Sequence, residues 1–128
     1  MATSIRDVMS TGLVAVNPAT MLFEAARVMS AAHVGSVLVM EGDTLAGIFT
    51  ERDVLQAFQH ARADPARVSP VSDWMTRDPV TISPEASVGK ALDRMLDGGF
   101  RHLPVVEGST VVGVVSMRDL ARSMAKDR

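Results

Sequence analysis

The stretch Gly47-Ile48-Phe49-Thr50-Glu51-Arg52-Asp53 recurs 66 residues later as Gly113-Val114-Val115-Ser116-Met117-Arg118-Asp119. Each copy contains a glycine, two apolar residues, a hydroxyl residue, a variable residue, an arginine and an aspartate. The apolar half is typical of a buried strand, and a hydroxyl residue followed three positions later by an acid is typical of a helix start. Each copy therefore predicts a strand that turns directly into a helix, whose free N–H groups favour anions.

The repetition extends over most of the chain. Residues 5–58 align without a gap with residues 71–124, and 13 of the 54 aligned pairs are identical. Most other core pairs exchange one aliphatic residue for another. We infer an internal duplication, with a first repeat at residues 1–60, a linker at 61–70 and a second repeat at 71–128.

Local patterns predict the elements of the first repeat. Ser4 is a candidate N-cap of a short helix, and an apolar stripe that begins near Thr20 predicts a longer helix. Two apolar runs around Gly42 then predict a β-hairpin. The last helix begins at Thr50, and its predicted apolar side consists of Val54, Leu55 and Phe58.

The second repeat follows the same plan, with a short strand at Val80-Thr81-Ile82. Ser83-Pro84-Glu85 predicts the start of its longer helix, because proline is favoured at the first helical position. The fold class is therefore α/β in the α+β sense, made of two β-α-β-β-α repeats. Because a unit of about 54 residues buries little apolar surface alone, we expect the two repeats to pack face to face.

Composition narrows the class of function. The 128 residues are 47% hydrophobic and 22% charged, with a net charge of −2, which gives no reason to expect nucleic-acid binding. No apolar run approaches the ~20 residues of a membrane span. The first residues lack the pattern of a signal peptide, so we expect a cytoplasmic protein. The absence of cysteine excludes disulfides and thiolate chemistry.

Nothing in the sequence indicates catalysis. His33, His60 and His102 share no metal-ligand spacing with one another or with nearby acids. No nucleophile elbow, Walker A or dinucleotide-binding motif occurs. We therefore expect no catalytic residue, no metal site and no enzyme activity.

Helix capping is one explanation of the two turns. A hydroxyl residue followed three positions later by an acid is the spacing of a capping box, which needs no ligand. Two features favour a binding site. Gly47 and Gly113 allow a close approach to the strand backbone. Arg52 and Arg118 each add a cation that capping does not require.

A phosphorylated nucleoside would use every group of such a turn. The carboxylate would accept hydrogen bonds from vicinal ribose hydroxyls. The hydroxyl and the first helical N–H groups would hold a phosphate, and the arginine would add a charge-assisted contact. A flat base would lie against the short strands at residues 14–16 and 80–82.

Together these residues resemble the CBS domain, the cystathionine β-synthase motif, in the tandem form called a Bateman module. The resemblance covers almost the entire chain and includes the openings Asp7-Val8-Met9 and Asp73-Trp74-Met75 and the run Arg101-His102-Leu103-Pro104-Val105-Val106. It implies two repeats related by a pseudo-twofold axis, with two clefts that bind AMP, ADP, ATP or S-adenosylmethionine. It also implies a homodimer that regulates other proteins.

The resemblance assigns roles to individual residues. It implies that Asp53 and Asp119 hold ribose and that the preceding hydroxyl residues contact phosphate. Basic residues at the start of a strand add to the phosphate site, and only the second repeat has them. The implied ligand-binding residues are Val16, Gly35, Ser36, Thr50, Arg52, Asp53, Thr81, Ile82, Arg101, His102, Ser116, Arg118 and Asp119.

The first repeat departs from the family pattern at two places. Ala15 stands where the second repeat has Thr81, and Gly35-Ser36 stand where it has Arg101-His102. We therefore expect unequal sites, of which the second holds phosphate better.

The leading hypothesis is a regulatory or sensor module that needs no cofactor, binds an adenosine-containing ligand and acts on a separate, unidentified partner protein. The alternative is a ligand-free dimerisation or protein-interaction module in which the two turns only cap helices.

Overall fold

The structure, a computed structural model, describes residues 3–60 and 69–126. In chain order the elements are α1 (Ile5–Val8), β1 (Ala15–Val16), α2 (Leu22–Ala32), β2 (Ser36–Glu41), β3 (Thr44–Thr50), α3 (Glu51–His60), a 3₁₀ helix (Val71–Asp73), β4 (Thr76–Arg77), α4 (Val88–Gly98), β5 (His102–Glu107), β6 (Thr110–Ser116) and α5 (Met117–Lys126). This is a mixed α+β fold in which both repeats contain strands and helices, as predicted.

The chain forms two compact units that do not coincide with the sequence repeats. The middle unit is Val14–Pro79, and the terminal unit combines Met1–Leu13 with Val80–Arg128. The opening segment of each repeat is thus part of the unit that contains the body of the other repeat. Sequence periodicity locates the copies of a duplication, but it does not show which copy each segment packs with.

The middle unit is a four-stranded sheet in the order β1-β2-β3-β4. β1 is parallel to β2, and the other neighbours are antiparallel. The apolar stripe of α2 has the spacing of one helix face and packs on the sheet. The buried core consists of Leu22, Ala25, Met29, Val37, Val39, Phe49, Ala57, Val71 and Met75.

The terminal unit has the same strand arrangement, but each of its two outer strands is reduced to a single bridge. β5 and β6 are antiparallel. Ile82 pairs with Val105 in parallel and Ser10 pairs with Val114 in antiparallel, at the positions that β1 and β4 hold in the middle unit. The predicted short strand at residues 80–82 is thus reduced to one bridge. The buried core consists of Ile5, Ile82, Val88, Ala91, Met95, Leu103, Val105, Val115 and Leu120.

The glycines of the recurring stretch are explained by packing within each unit. A Cβ atom at Gly47 would lie 2.6 Å from the carbonyl oxygen of Thr76, and one at Gly113 would lie 2.8 Å from that of Ser10. The backbone that approaches each glycine is therefore the opening segment of the other repeat. The close approach that these glycines allow is therefore made, in this structure, by the chain's own backbone.

The two hairpins confirm the predicted turns. Gly42 and Gly108 occupy the first position of each two-residue turn, with φ of +61° and +64°. Glycine adopts such backbone angles without the steric cost that a side chain brings.

The predicted start of α4 is wrong by about one turn. The helix begins at Val88, and the side chain of Ser87 accepts a hydrogen bond of 3.1 Å from the N–H of Lys90. The carbonyl of Pro84 instead accepts a hydrogen bond of 2.8 Å from Arg6 at the start of α1. Pairing with a distant segment therefore outweighs the local preference of proline for a helix start.

The predicted apolar side of α3 is also wrong in part. Asp53 and Ala57 are buried and Val54 is half-buried, whereas Leu55 is 70% exposed and Phe58 is 52% exposed. Residues 53 and 57 are one turn apart and face the sheet. Leu55 and Phe58 lie on another face of the helix.

Candidate functional site

In the turn of the middle unit, the side chain of Asp53 folds back onto Thr50. Thr50 ends β3, and its backbone N–H donates a 2.8 Å hydrogen bond to Oδ2 of Asp53. The Thr50 hydroxyl donates to the same oxygen at 3.2 Å. Asp53 lies in the first turn of α3 and is only 7% exposed. The carboxylate therefore caps the helix and is fixed in position.

Burial dominates the ionisation of Asp53. Removal from water disfavours the carboxylate and raises the pKa of Asp53. The hydrogen bonds from Thr50 and the positive charge of Arg52 act in the opposite direction and lower this pKa in part. The net effect is a pKa above the ordinary value.

The turn of the terminal unit is a reciprocal capping box. The Ser116 N–H donates to Oδ2 of Asp119 at 2.8 Å, and the Asp119 N–H donates to the Ser116 hydroxyl at 3.1 Å. At the short helix α1, the N–H and hydroxyl of Ser4 donate to Asp7 at 3.3 and 3.2 Å. The helix-cap geometry of both recurring turns thus exists without any ligand.

The start of β2 lies beside the turn of the middle unit, and the start of β5 lies beside the turn of the terminal unit. Ser36 is the register partner of Thr50, and His102 is the register partner of Ser116. The first N–H of α3 donates to the carbonyl of Gly35 at 3.1 Å. The first N–H of α5 donates in the same way to Arg101, at 2.9 Å. The first N–H group of each helix is therefore used within the chain and is not available to a phosphate.

The short strands lie along the other edge of β2 and β5, two to three positions beyond the strand starts. In the middle unit, Val16 is the register partner of Val39, and the N–H of Leu38 donates to Val14 at 3.0 Å. In the terminal unit, the N–H of Ile82 donates to Pro104 at 3.0 Å. In each unit, the predicted site residues of the short strand and those of the turn therefore lie on opposite sides of one strand.

Arg94 is a cation of this region that the sequence interpretation missed. Its Nη1 atom donates a 2.5 Å hydrogen bond to the carbonyl of Thr81, next to the short strand of the terminal unit. The matching residue of the first repeat is Val28. The change from an apolar to a basic residue between otherwise similar repeats was the available signal.

Among residues 3–60 and 69–126, no group of three His, Asp or Glu side chains could hold a metal ion. His33 lies at the left-handed end of α2, with φ of 56°, and His60 ends α3. None of the described helices is both long enough and apolar enough to span a membrane.

Comparison with known proteins identifies the family. The model of the CBS domain matches residues 5–60 and 71–126. A 17.7 kDa protein of Acidianus ambivalens, uncharacterized and encoded in the bps2 3′ region, is 37% identical over 126 residues, which cover 97% of this chain and 74% of that protein.

Two crystal structures have the same fold. The CBS-domain containing protein ATU1752 from Agrobacterium tumefaciens superposes with a TM-score of 0.90 at 29% identity, over 95% of this chain and 99% of that one. The CBS domain pair of protein MJ0100, in complex with 5′-methylthioadenosine and S-adenosyl-L-methionine, gives 0.91 at 21% identity over 100% of both chains. The present chain therefore belongs to the CBS-domain family and contains two CBS domains.

Proposed function

We propose that this protein is a regulatory module that binds adenosine-containing ligands at its two strand-to-helix turns and acts on a separate partner protein. The ligands would be AMP, ADP, ATP or S-adenosylmethionine. The supporting observation is the recurring turn, which holds a hydroxyl, an arginine and a fixed carboxylate beside a strand start in each unit. The adenosine compounds bound by the CBS pair of MJ0100 make this ligand class a reasonable one to test.

The carboxylates are the groups on which the proposal depends. Asp53 and Asp119 each use Oδ2 for the helix cap. The second oxygen, Oδ1, is the atom to which a ribose hydroxyl would donate. Capping therefore orients the carboxylate for binding, and the two roles are compatible.

Ligand-dependent stabilisation tests this proposal. Thermal shift and calorimetry with AMP, ADP, ATP and S-adenosylmethionine should give a saturable rise in Tm. A ligand at one hundred times its Kd adds about 2.7 kcal/mol to the free energy of unfolding. If none of the four compounds raises the Tm at millimolar concentration, the proposal is wrong.

Aspartate-to-glutamate variants separate binding from capping. Glutamate at the third helical position still completes a capping box, but it moves the carboxylate by one methylene. Asp53→Glu and Asp119→Glu should therefore keep the fold and lose the ligand response. Asp7→Glu is the matched control, because Asp7 caps α1 in the same way outside the proposed sites.

A ligand-free dimerisation module is the second candidate. The caps of the two turns are complete without a ligand, and Leu55 and Phe58 present apolar surface on α3. In this alternative, Asp53→Glu and Asp119→Glu leave every ligand titration unchanged, since the wild type responds to none. In that case the protein acts by forming a dimer and not by binding a ligand.

A further inference from the structure

The two turns share one backbone hydrogen bond but differ in the charge of the side chains at matched positions around them. Asp53 and Asp119 accept equivalent 2.8 Å hydrogen bonds from the backbone of the preceding hydroxyl residue. The hydroxyl, the arginine and the aspartate also match in type. The charged side chains around these shared groups differ at three matched positions.

The terminal unit is cationic around its turn. Arg101 immediately precedes the strand that pairs with the turn, Arg118 lies within the turn, and Arg94 hydrogen-bonds the adjoining short strand. Asp119 is the one carboxylate of this set. Three arginines and one carboxylate leave a formal charge of +2, with His102 counted as neutral.

The middle unit is anionic at the same positions. Val28 and Gly35 stand where the terminal unit has Arg94 and Arg101, and Glu51 stands where it has Met117. The matched set therefore contains Arg52 and two carboxylates, those of Glu51 and Asp53, and its formal charge is −1. The two sets differ by three unit charges.

We propose that the two sites divide adenosine compounds by the charge of the 5′ substituent, an inference that rests on the function proposed above. The terminal unit takes 5′-phosphorylated adenosine. The middle unit takes adenosine whose 5′ substituent is an uncharged thioether or a cationic sulfonium. In the middle unit, the net negative charge of the set, with Glu51 and Asp53 against Arg52, disfavours a ligand phosphate. In the terminal unit the net positive charge favours one, since arginine binds phosphate through charge-assisted, often bidentate contacts.

Paired titrations of the full chain test the division of ligands. ATP and 5′-methylthioadenosine are titrated separately by calorimetry, and each is then titrated into protein saturated with the other. The expected result is one site per chain for each compound, with neither displacing the other. ATP binding should weaken as salt rises, because screening shortens to about 3 Å at 1 M salt, whereas the uncharged compound should respond little.

Charge variants assign each compound to its unit. Arg101→Gln should lower the affinity for ATP by about 10-fold or more, the usual loss for a hydrogen bond to a charged group, and leave that for 5′-methylthioadenosine unchanged. Glu51→Gln should strengthen AMP binding at a second site. Arg122→Gln is the matched control, since Arg122 is exposed on α5 and lies outside the set.

The outcomes separate this inference from the proposed function. If neither compound binds, both fail. Mutual displacement, binding of only one compound, or equal loss of both in Arg101→Gln would overturn the division of ligands and leave an adenosine-binding module.

Discussion

Gly113 packs directly against the backbone of Ser10, so that a Cβ atom at Gly113 would lie 2.8 Å from the Ser10 carbonyl oxygen. The N–H of Ser10 donates to the carbonyl of Val114, and the N–H of Val114 donates back to Ser10. A peptide oxygen that is held by such a pair has little freedom to move. The glycine therefore belongs to the packing of the terminal unit.

Gly113→Ala should destabilise the chain by about 1–3 kcal/mol, the usual range for an overpacked core. The added methyl would also meet the sulfur of Met9 at 2.6 Å. Urea unfolding measures the loss. Gly12→Ala is the control, because a Cβ atom at Gly12 would have no neighbour within 4 Å and alanine restricts the unfolded chain. Equal stability of the two variants would contradict the packing argument.

Ser116→Ala should lower the free energy of unfolding by about 0.5–2 kcal/mol, the range for loss of an N-cap. The variant removes the oxygen that accepts from the Asp119 N–H. Chemical denaturation measures the change. Ser109→Ala is a suitable comparison, since Ser109 is exposed in a hairpin turn. An unchanged midpoint in Ser116→Ala would show that the cap adds nothing to stability.

The buried carboxyl of Asp53 should make stability fall as pH rises through the acid range. Because burial raises the pKa of Asp53 above the ordinary 3.8, the folded chain holds this proton more tightly than the unfolded chain does. Between these two pKa values the folded state binds more protons, so the free energy of unfolding decreases with pH. The contribution is complete below pH 3.8 and is lost above the folded-state pKa.

Urea unfolding from about pH 3 to about pH 7 isolates this contribution when the wild type is compared with Asp53→Asn. The wild type should lose stability relative to the variant as pH rises. A constant difference, or a wild type that gains relative stability, would show that burial does not dominate at Asp53.

Leu55→Ser and Phe58→Ser should change the stability of the folded chain by no more than about 0.5 kcal/mol, as expected for exposed positions. If α3 forms the interface of the proposed homodimer, both variants should lower the mass measured by light scattering. Leu96→Ser is the matched control, because Leu96 is an exposed leucine on α4. A dimer that persists in both α3 variants would exclude this face.

Local chemistry accounts for the parts of the fold that were predictable. The hairpins follow from Gly42 and Gly108, and the turns into α3 and α5 follow from a hydroxyl residue paired with an aspartate. Errors arise where a distant segment decides the outcome. Pro84 resembles a helix start but pairs with α1, and nothing near Gly113 in the sequence indicates that the backbone beside it is that of Ser10.

In the candidate site too, the residues placed by local sequence were predictable and those placed by a distant contact were not. The grouping of Arg101 and His102 with Ser116 was predictable, because a hairpin brings its two ends together. Arg94 was missed because its partner, the carbonyl of Thr81, carries no side-chain signal in the sequence. A hydrogen bond to a backbone atom can be recognised only after the backbone is placed.

The pairing of Ser10 with Val114 joins residues 104 positions apart, whereas the middle unit draws on a continuous segment. During synthesis on the ribosome, all of Val14–Pro79 emerges before Val80–Arg128, the larger part of the terminal unit, has done so. Contacts between distant residues also form slowly, since closing a long loop costs entropy. We expect the middle unit to fold first. The N-terminal segment can pair with Val114 only after that residue has also emerged.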